Sequence, residues 1–162
     1  MATETDSEHV SDAEMTTTGG WQAGVIAGLS GGAVMGVMLT IAMRPVIEHA
    51  IPALWGLDGG LAGWIIHMSN AAIFGVIFAA VATQPSVRNY TTSLGQSAVL
   101  GIGYGVVLWI VAAVIVMPLW LQAVGFANAP AFPNISMKSL MGHIIYGLVL
   151  GLVYPAIRDR RT

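Results

Sequence analysis

Apolar residues in this chain neither alternate nor keep to one helical stripe; they run on. Four stretches, residues 21–43, 61–83, 96–121 and 140–157, are apolar on every side, relieved mostly by glycine, alanine and isolated hydroxyl residues. A helix that is hydrophobic all round belongs in the core of a large protein or in a bilayer. At 1.5 Å per residue the first three stretches cover a hydrocarbon core of roughly 30 Å, and the fourth does so with help from its flanks. Inside lipid every backbone amide must be satisfied within its own segment, so each stretch is predicted to be helical. The expected fold class is all-α, an integral membrane four-helix bundle over 21–157, with an acidic tail over 1–20 and a basic tail over 158–162.

Composition agrees. The chain is 56% hydrophobic and 9% charged, against roughly a quarter charged in an ordinary soluble domain. It contains no cysteine, which removes a disulfide framework, a thiolate metal site and a redox dithiol together. A net charge of −2 with no basic run excludes a nucleic-acid partner. The first apolar stretch is not a cleavable signal, because Glu4, Asp6, Glu8, Asp12 and Glu14 precede it where a positive segment belongs. Residues 1–20 carry almost no large apolar side chains and are expected to be a disordered, solvated tail.

Basic residues set the orientation. Arg88, Arg158, Arg160 and Arg161 fall on the side of the termini, against Arg44 and Lys138 on the other. The positive-inside rule then places both termini in the cytoplasm of a multi-pass protein of the cell membrane. Trp55, Trp64, Trp120, Phe126 and Phe132 near the outer ends, and Trp21, Tyr90 and Tyr154 near the inner ones, read as aromatic belts. Trp109, mid-span, falls outside them and is expected to fill the bundle or face lipid.

Sliding the chain on itself by 76 or 77 residues uncovers a repeat. Gly24 and Gly28 fall on Gly101 and Gly105, His67 on His143, and Gly75 on Gly151. The unit is two helices, so the copies would run in the same direction about an axis along the membrane normal. Gly24, Gly28, Gly32 and Gly36 form a ladder at every fourth position, which Ser97, Gly101 and Gly105 echo. Between helices in lipid, such small-residue stripes supply association through close backbone approach. The first and third helices are therefore expected to form the central pair, or the same stripes a homodimer face.

The histidines are the sharpest chemical feature. His67 heads a stripe with Ala71 and Gly75, and His143 one with Gly147 and Gly151. Residues four apart share a helix face, so both imidazoles are expected to point into helix contacts, roughly 6–10 Å below the outer ends. Ser69, Asn70 and Tyr146 lie within a turn as expected hydrogen-bond partners. Ionisable groups inside a membrane mark functional sites by default. Met38, Met43, Met68, Met117, Met137 and Met141 fall in the same half, with Met68, Met117 and Met141 the candidate ligands, and imidazole with thioether is a ligand set for copper as Cu(I). A histidine pair is also an axial set for haem b. The competing view is that methionine fills gaps and each histidine bonds across helices, and spacing alone does not bring the two rings within ligand distance. His49 beside Glu48 and Asp58 is a third candidate ligand or a solvated loop residue.

Enzymatic readings fare worse. Glu48, Asp58 and Asp159 lie in loops or at ends, so no carboxylate is positioned for acid–base work inside the bilayer. Ser30, Ser69 and Ser97 have no triad partners at useful spacing, and the run Gly28–Gly32 lies within a span, where a phosphate loop cannot operate.

Two segments carry a resemblance. Gly63-Trp64-Ile65-Ile66-His67 and Met141-Gly142-His143-Ile144-Ile145-Tyr146-Gly147-Leu148-Val149-Leu150-Gly151-Leu152-Val153-Tyr154 resemble a family of small four-span membrane proteins of unknown function from bacteria and salt-loving archaea. The stretch from Leu108 to Pro118 is similar to that family's third span. The resemblance implies architecture and the histidine positions, and no reaction. The expected function is a non-enzymatic accessory subunit of a larger membrane complex or a self-associating bundle. A haem- or copper-binding protein using His67 and His143 is the alternative, and a small oligomeric transporter or channel the third.

Overall fold

The computed structural model describes residues 4–159, with side chains described from Gly20 onward. Helix α1 runs from Glu4 to Ala42. The backbone of the acidic segment expected to be disordered is thus helical from Glu4, while residues 1–3, the side chains of 4–19 and residues 160–162 of the basic tail lie outside the described residues. Once a helix is nucleated each added residue gains a hydrogen bond without a new nucleus, so a polar flank is carried along by the apolar span it enters.

Four segments are long and apolar enough to cross a membrane: Gly20–Ala42 within α1, Gly60–Ala82 (α3), Leu94–Ala123 and Met137–Arg158 (α6). The fold is an all-α membrane four-helix bundle. The third span is composite: α4 (Leu94–Leu108), a π-helical stretch (Trp109–Val116) and α5 (Met117–Ala123). Ser93 and Ser136 cap α4 and α6, each hydroxyl accepting a backbone N–H three residues on.

At the end opposite the termini, called distal below, the first connection is more ordered than a loop. After α1 stops, the chain continues as a π-helical turn (Val46–Ala50) and the short α2 (Ile51–Ala53). Pro45 ends α1 because it has no N–H for the carbonyl four residues back. Gly63 lets the Ile47 carbonyl rest on the α3 backbone. Trp120 Nε1 donates to the Leu54 carbonyl at 2.9 Å, tying the first distal connection to the end of the third span. Trp64, assigned from its position to the aromatic belt, instead turns inward against Gly36 and His67.

Packing corrects the expected central pair. α1 packs on α3 and on α6, and α4 packs on α6; the first and third spans are not close neighbours. The glycines explain this. A Cβ on Gly24 or Gly28 would meet the backbone of Gly75 or Ala71 across α3, and one on Gly101 or Gly105 would meet Gly147 or His143 across α6. Each stripe is consumed by the antiparallel partner that follows it in sequence. Gly32 and Gly36 receive the Ala71 and Trp64 side chains.

The two pairs are not in identical register. Gly75 faces Gly24, whereas its counterpart Gly151 faces Ser97, one turn earlier than Gly101. The reason lies in α1's longer ladder. At an offset of 77, Gly32 corresponds to Trp109, whose indole blocks close approach, so α6 slides one turn to use Ser97, Gly101 and Gly105.

Spans two and three stand further apart and meet through long side chains. Tyr104 Oη donates to the Phe74 carbonyl at 2.7 Å, and the Phe78 ring lies between Tyr104 and Tyr154 at 5.3 and 5.4 Å. At the proximal end Arg158 donates to Thr91 Oγ1 and O at 2.8 and 3.1 Å, fixing the short 3₁₀ turn Arg88–Thr91 against the end of α6.

Candidate functional site

The glycine contacts close two helix pairs, and the wider gap between α3 and the third span leaves a space. In the distal half it forms a cavity of about 220 Å³, reached by side chains of all four spans and of the α2 turn. Its lining is mainly apolar, from Leu39, Phe74, Leu108 and Val116 among others. His67 and His143 both line it, with Asn70, Ser139 and Tyr146 as further polar groups.

Each histidine is held by a backbone carbonyl. Nε2 of His67 lies 2.9 Å from the Gly32 carbonyl oxygen, and Nδ1 of His143 lies 2.8 Å from that of Ser139. A carbonyl only accepts, so those two nitrogens carry the protons. In the neutral rings Nδ1 of His67 and Nε2 of His143 are therefore left with lone pairs. Trp64 stands edge-on to His67, centroids 6.3 Å apart, and fixes its ring plane. The partners expected from neighbouring residues are not the ones used. Ser69 returns its hydroxyl to Ile65 O at 2.8 Å, and Tyr146 donates across the bundle to Ala71 O, also at 2.8 Å. Helical side chains find a carbonyl on the facing helix when a glycine lets them approach, and Gly32 provides that approach for His67.

The sulfur donors also rearrange. Met117 lines the cavity as expected, but Met68 packs toward Gly32 and Met141 is exposed, so neither lines it. Met43, expected in this half, does line it, and Met35 joins it. The error came from counting depth alone: Met68 and Met141 lie at suitable depth on the wrong helix faces, while Met35 and Met43 share α1's inward face with Leu39 at four-residue spacing.

A second space of about 300 Å³ lies further out, lined by Pro45, His49, Phe126, Asn128 and Asn134 together with Met43, Val46, Met117 and Ser139. The last four line the inner cavity too, so the two spaces adjoin with Met43 and Met117 at the boundary. His49 does not join the inner site. Its Nδ1 bonds Asp58 Oδ1 at 2.7 Å, and that hydrogen bond raises the imidazole above its ordinary range and lowers the carboxyl below its own.

Pro118 shapes the wall. It has no N–H for the Val114 carbonyl in an α register or for Ala113 in a π register. Asn134 supplies both: its backbone N–H donates to Val114 O at 3.2 Å and its Nδ2 to Ala113 O at 3.3 Å. The distal connection is thereby stitched to the third span beside the cavity. The span serine Ser30, like Ser69, bonds the carbonyl four residues back, and among the described residues no three His, Asp or Glu side chains cluster for a metal.

The fold and cavity define a class, a membrane four-helix bundle with a half-open, mainly apolar cavity in its distal half bearing two oriented imidazoles. No protein-family model, curated protein or solved structure matches the chain.

Proposed function

We propose that this is a non-enzymatic protein of the cell membrane that binds a small ligand in the distal cavity between His67 and His143. One observation carries the reading: two histidines from different helix pairs line one chamber, each anchored through one ring nitrogen and each keeping the other as a lone-pair donor. In this reading the termini lie in the cytoplasm, the distal end is the outer one, and the two helix pairs are copies of one unit. Glycine-mediated backbone contact within both pairs supports the last point. The resemblance to the four-span family belongs to the same proposal.

The roles of accessory subunit and self-associating bundle drew on glycine stripes as docking faces. Those glycines meet the chain's own helices and are not free as docking faces. The chamber's size selects the guest. About 220 Å³ is below the roughly 300–1,000 Å³ of drug-sized ligand pockets, which favours an ion or a single ring over the macrocycle of haem b.

Native mass spectrometry of tagged protein taken from its own membrane into mild detergent tests the proposal. A retained small mass or ion, lost on filling the chamber with Ala112→Phe, is the expected result. Bare chain, or the same retained mass in Ala112→Phe, would refute it, and a stoichiometric protein partner in that case makes the chain an accessory subunit.

A further inference from the structure

We infer that the guest of this chamber is a soft monovalent metal ion, Cu(I), which enters from the distal vestibule past Met43 and Met117; the inference rests on the ligand-binding reading above. Three features of the site select this ligand. The first is the donor set. His67 and His143 offer imidazole lone pairs, and Met35, Met43 and Met117 line the same space with thioether sulfur. Neutral nitrogen with thioether suits Cu(I), whereas hard cations take carboxylate, carbonyl or water oxygen.

The second is charge. Among the described residues no carboxylate, thiolate or other anion lines the chamber. An ion there keeps its full charge in a low-dielectric setting, and that cost rises steeply from a monovalent to a divalent cation. Zinc in such a set would leave two uncompensated charges, Cu(I) only one. The third is orientation. Histidines that ligate metals characteristically donate their second ring N–H to a carbonyl or carboxylate, which fixes the tautomer and makes the ligating nitrogen more basic. Gly32 O and Ser139 O do this for the two rings.

The route follows from shared walls. Met43 and Met117 line both the inner chamber and the outer vestibule, so an ion passing between them meets sulfur on both sides before it reaches imidazole. A ligand with two hydroxyl donors, such as a hydroquinone, would use the same lone pairs without needing sulfur at that boundary. That rival makes the methionines decisive.

The test uses the full chain in mild detergent, titrated anaerobically with Cu(I) against a chromogenic Cu(I) chelator. One ion per chain is expected, with affinity reduced at least tenfold by His67→Gln and by His143→Gln. Met68→Leu and Met141→Leu, outside the chamber, leave the affinity unchanged. In sealed vesicles with the distal end outward, the double variant M43L/M117L slows Cu(I) loading by at least tenfold. X-ray absorption of the loaded wild type should show both nitrogen and sulfur neighbours, a readout that does not depend on any variant folding. No Cu(I) retained by wild type, or a copper shell without sulfur, overturns the inference. If Cu(I) fails while native mass spectrometry still finds a small molecule lost in Ala112→Phe, the chamber reading stands and the copper assignment falls. If both are blank, both fall.

Discussion

Gly101 and Gly103 lie two residues apart on α4 and make opposite predictions. An alanine Cβ at Gly101 would press on the Gly147 carbonyl oxygen and come within 2.8 Å of Gly151 Cα. At Gly103 it would meet nothing within 4 Å. Alanine improves helix propensity over glycine by about 0.8–1.0 kcal/mol at either site, so that gain cancels in the comparison. The difference between the variants is the clash alone. Overpacking costs about 1–3 kcal/mol, and here the obstacle is backbone, with no rotamer to yield, which points to the upper part of that range. Relief requires α4 and α6 to separate, and even a gap of ~1 Å forfeits a quarter to a half of each dispersion contact along the seam. Gly101→Ala should therefore fold with an equilibrium constant roughly 5- to 150-fold below that of Gly103→Ala. The assay is SDS titration of the protein in mild-detergent micelles, followed by tryptophan fluorescence and limited proteolysis, since SDS leaves isolated helices intact. Coincident transitions for the two variants would refute backbone-to-backbone packing of α4 on α6.

Two further predictions concern the distal end. Asn134→Leu removes the donor to the Ala113 carbonyl and should cost about 1 kcal/mol, the usual net worth of such a bond. Pro118→Ala returns an N–H to the helix, so Asn134→Leu should cost less in that background, as a double-mutant cycle by SDS titration would reveal. The His49–Asp58 bond depends on pH at both limits. His49's raised pKa gives stability that is complete below its unfolded value and is lost as pH rises through the higher folded value. Asp58's lowered pKa gives stability present above its unfolded value and lost as pH falls through the lower folded one. The connection should be tightest between the ordinary carboxyl and imidazole ranges, and Asp58→Asn should bring the NMR titration midpoint of His49 down.

Fold class was legible because lipid leaves a polypeptide few options: four long apolar runs with no room for unpaired amides must be four helices. Which helices touch was not legible from stripes alone. A ladder such as Gly24 to Gly36 states that something approaches closely, not what does, and Gly75 and Ala71 of the next span proved to be the match. Side-chain destinations were harder still. Depth was read from rise per residue, but rotation about the helix axis separates Met35 and Met43, which line the chamber, from Met68 and Met141, which do not. The Asn134 stitch had a visible cause, since Pro118 within an apolar run must orphan carbonyls; its partner, sixteen residues downstream in an irregular segment, had no periodic signature.

The one-turn slip between the helix pairs accounts for the two histidines being held differently. In the first pair Gly32 leaves room for His67 to reach across and bond the α1 backbone, so this ring belongs to the packed seam and is buried. In the second pair the place of Gly32 would fall to Trp109 by sequence, and in the slipped register His143 lies opposite Gly105, whose backbone packs on the His143 carbonyl. His143 turns instead to Ser139 on its own helix and remains only partly buried at the chamber wall. Bulk at Trp109, and the slip it forces, leaves one imidazole tied across a seam and the other on a local tether within its own helix. Trp109→Gly should therefore let α6 slide back toward the register of the first pair and carry His143 into its seam. Engineered cysteine pairs should report the slide as cross-linking that moves from positions 97 and 151 to positions 101 and 151, and unchanged cross-linking between 97 and 151 would refute the role given to Trp109.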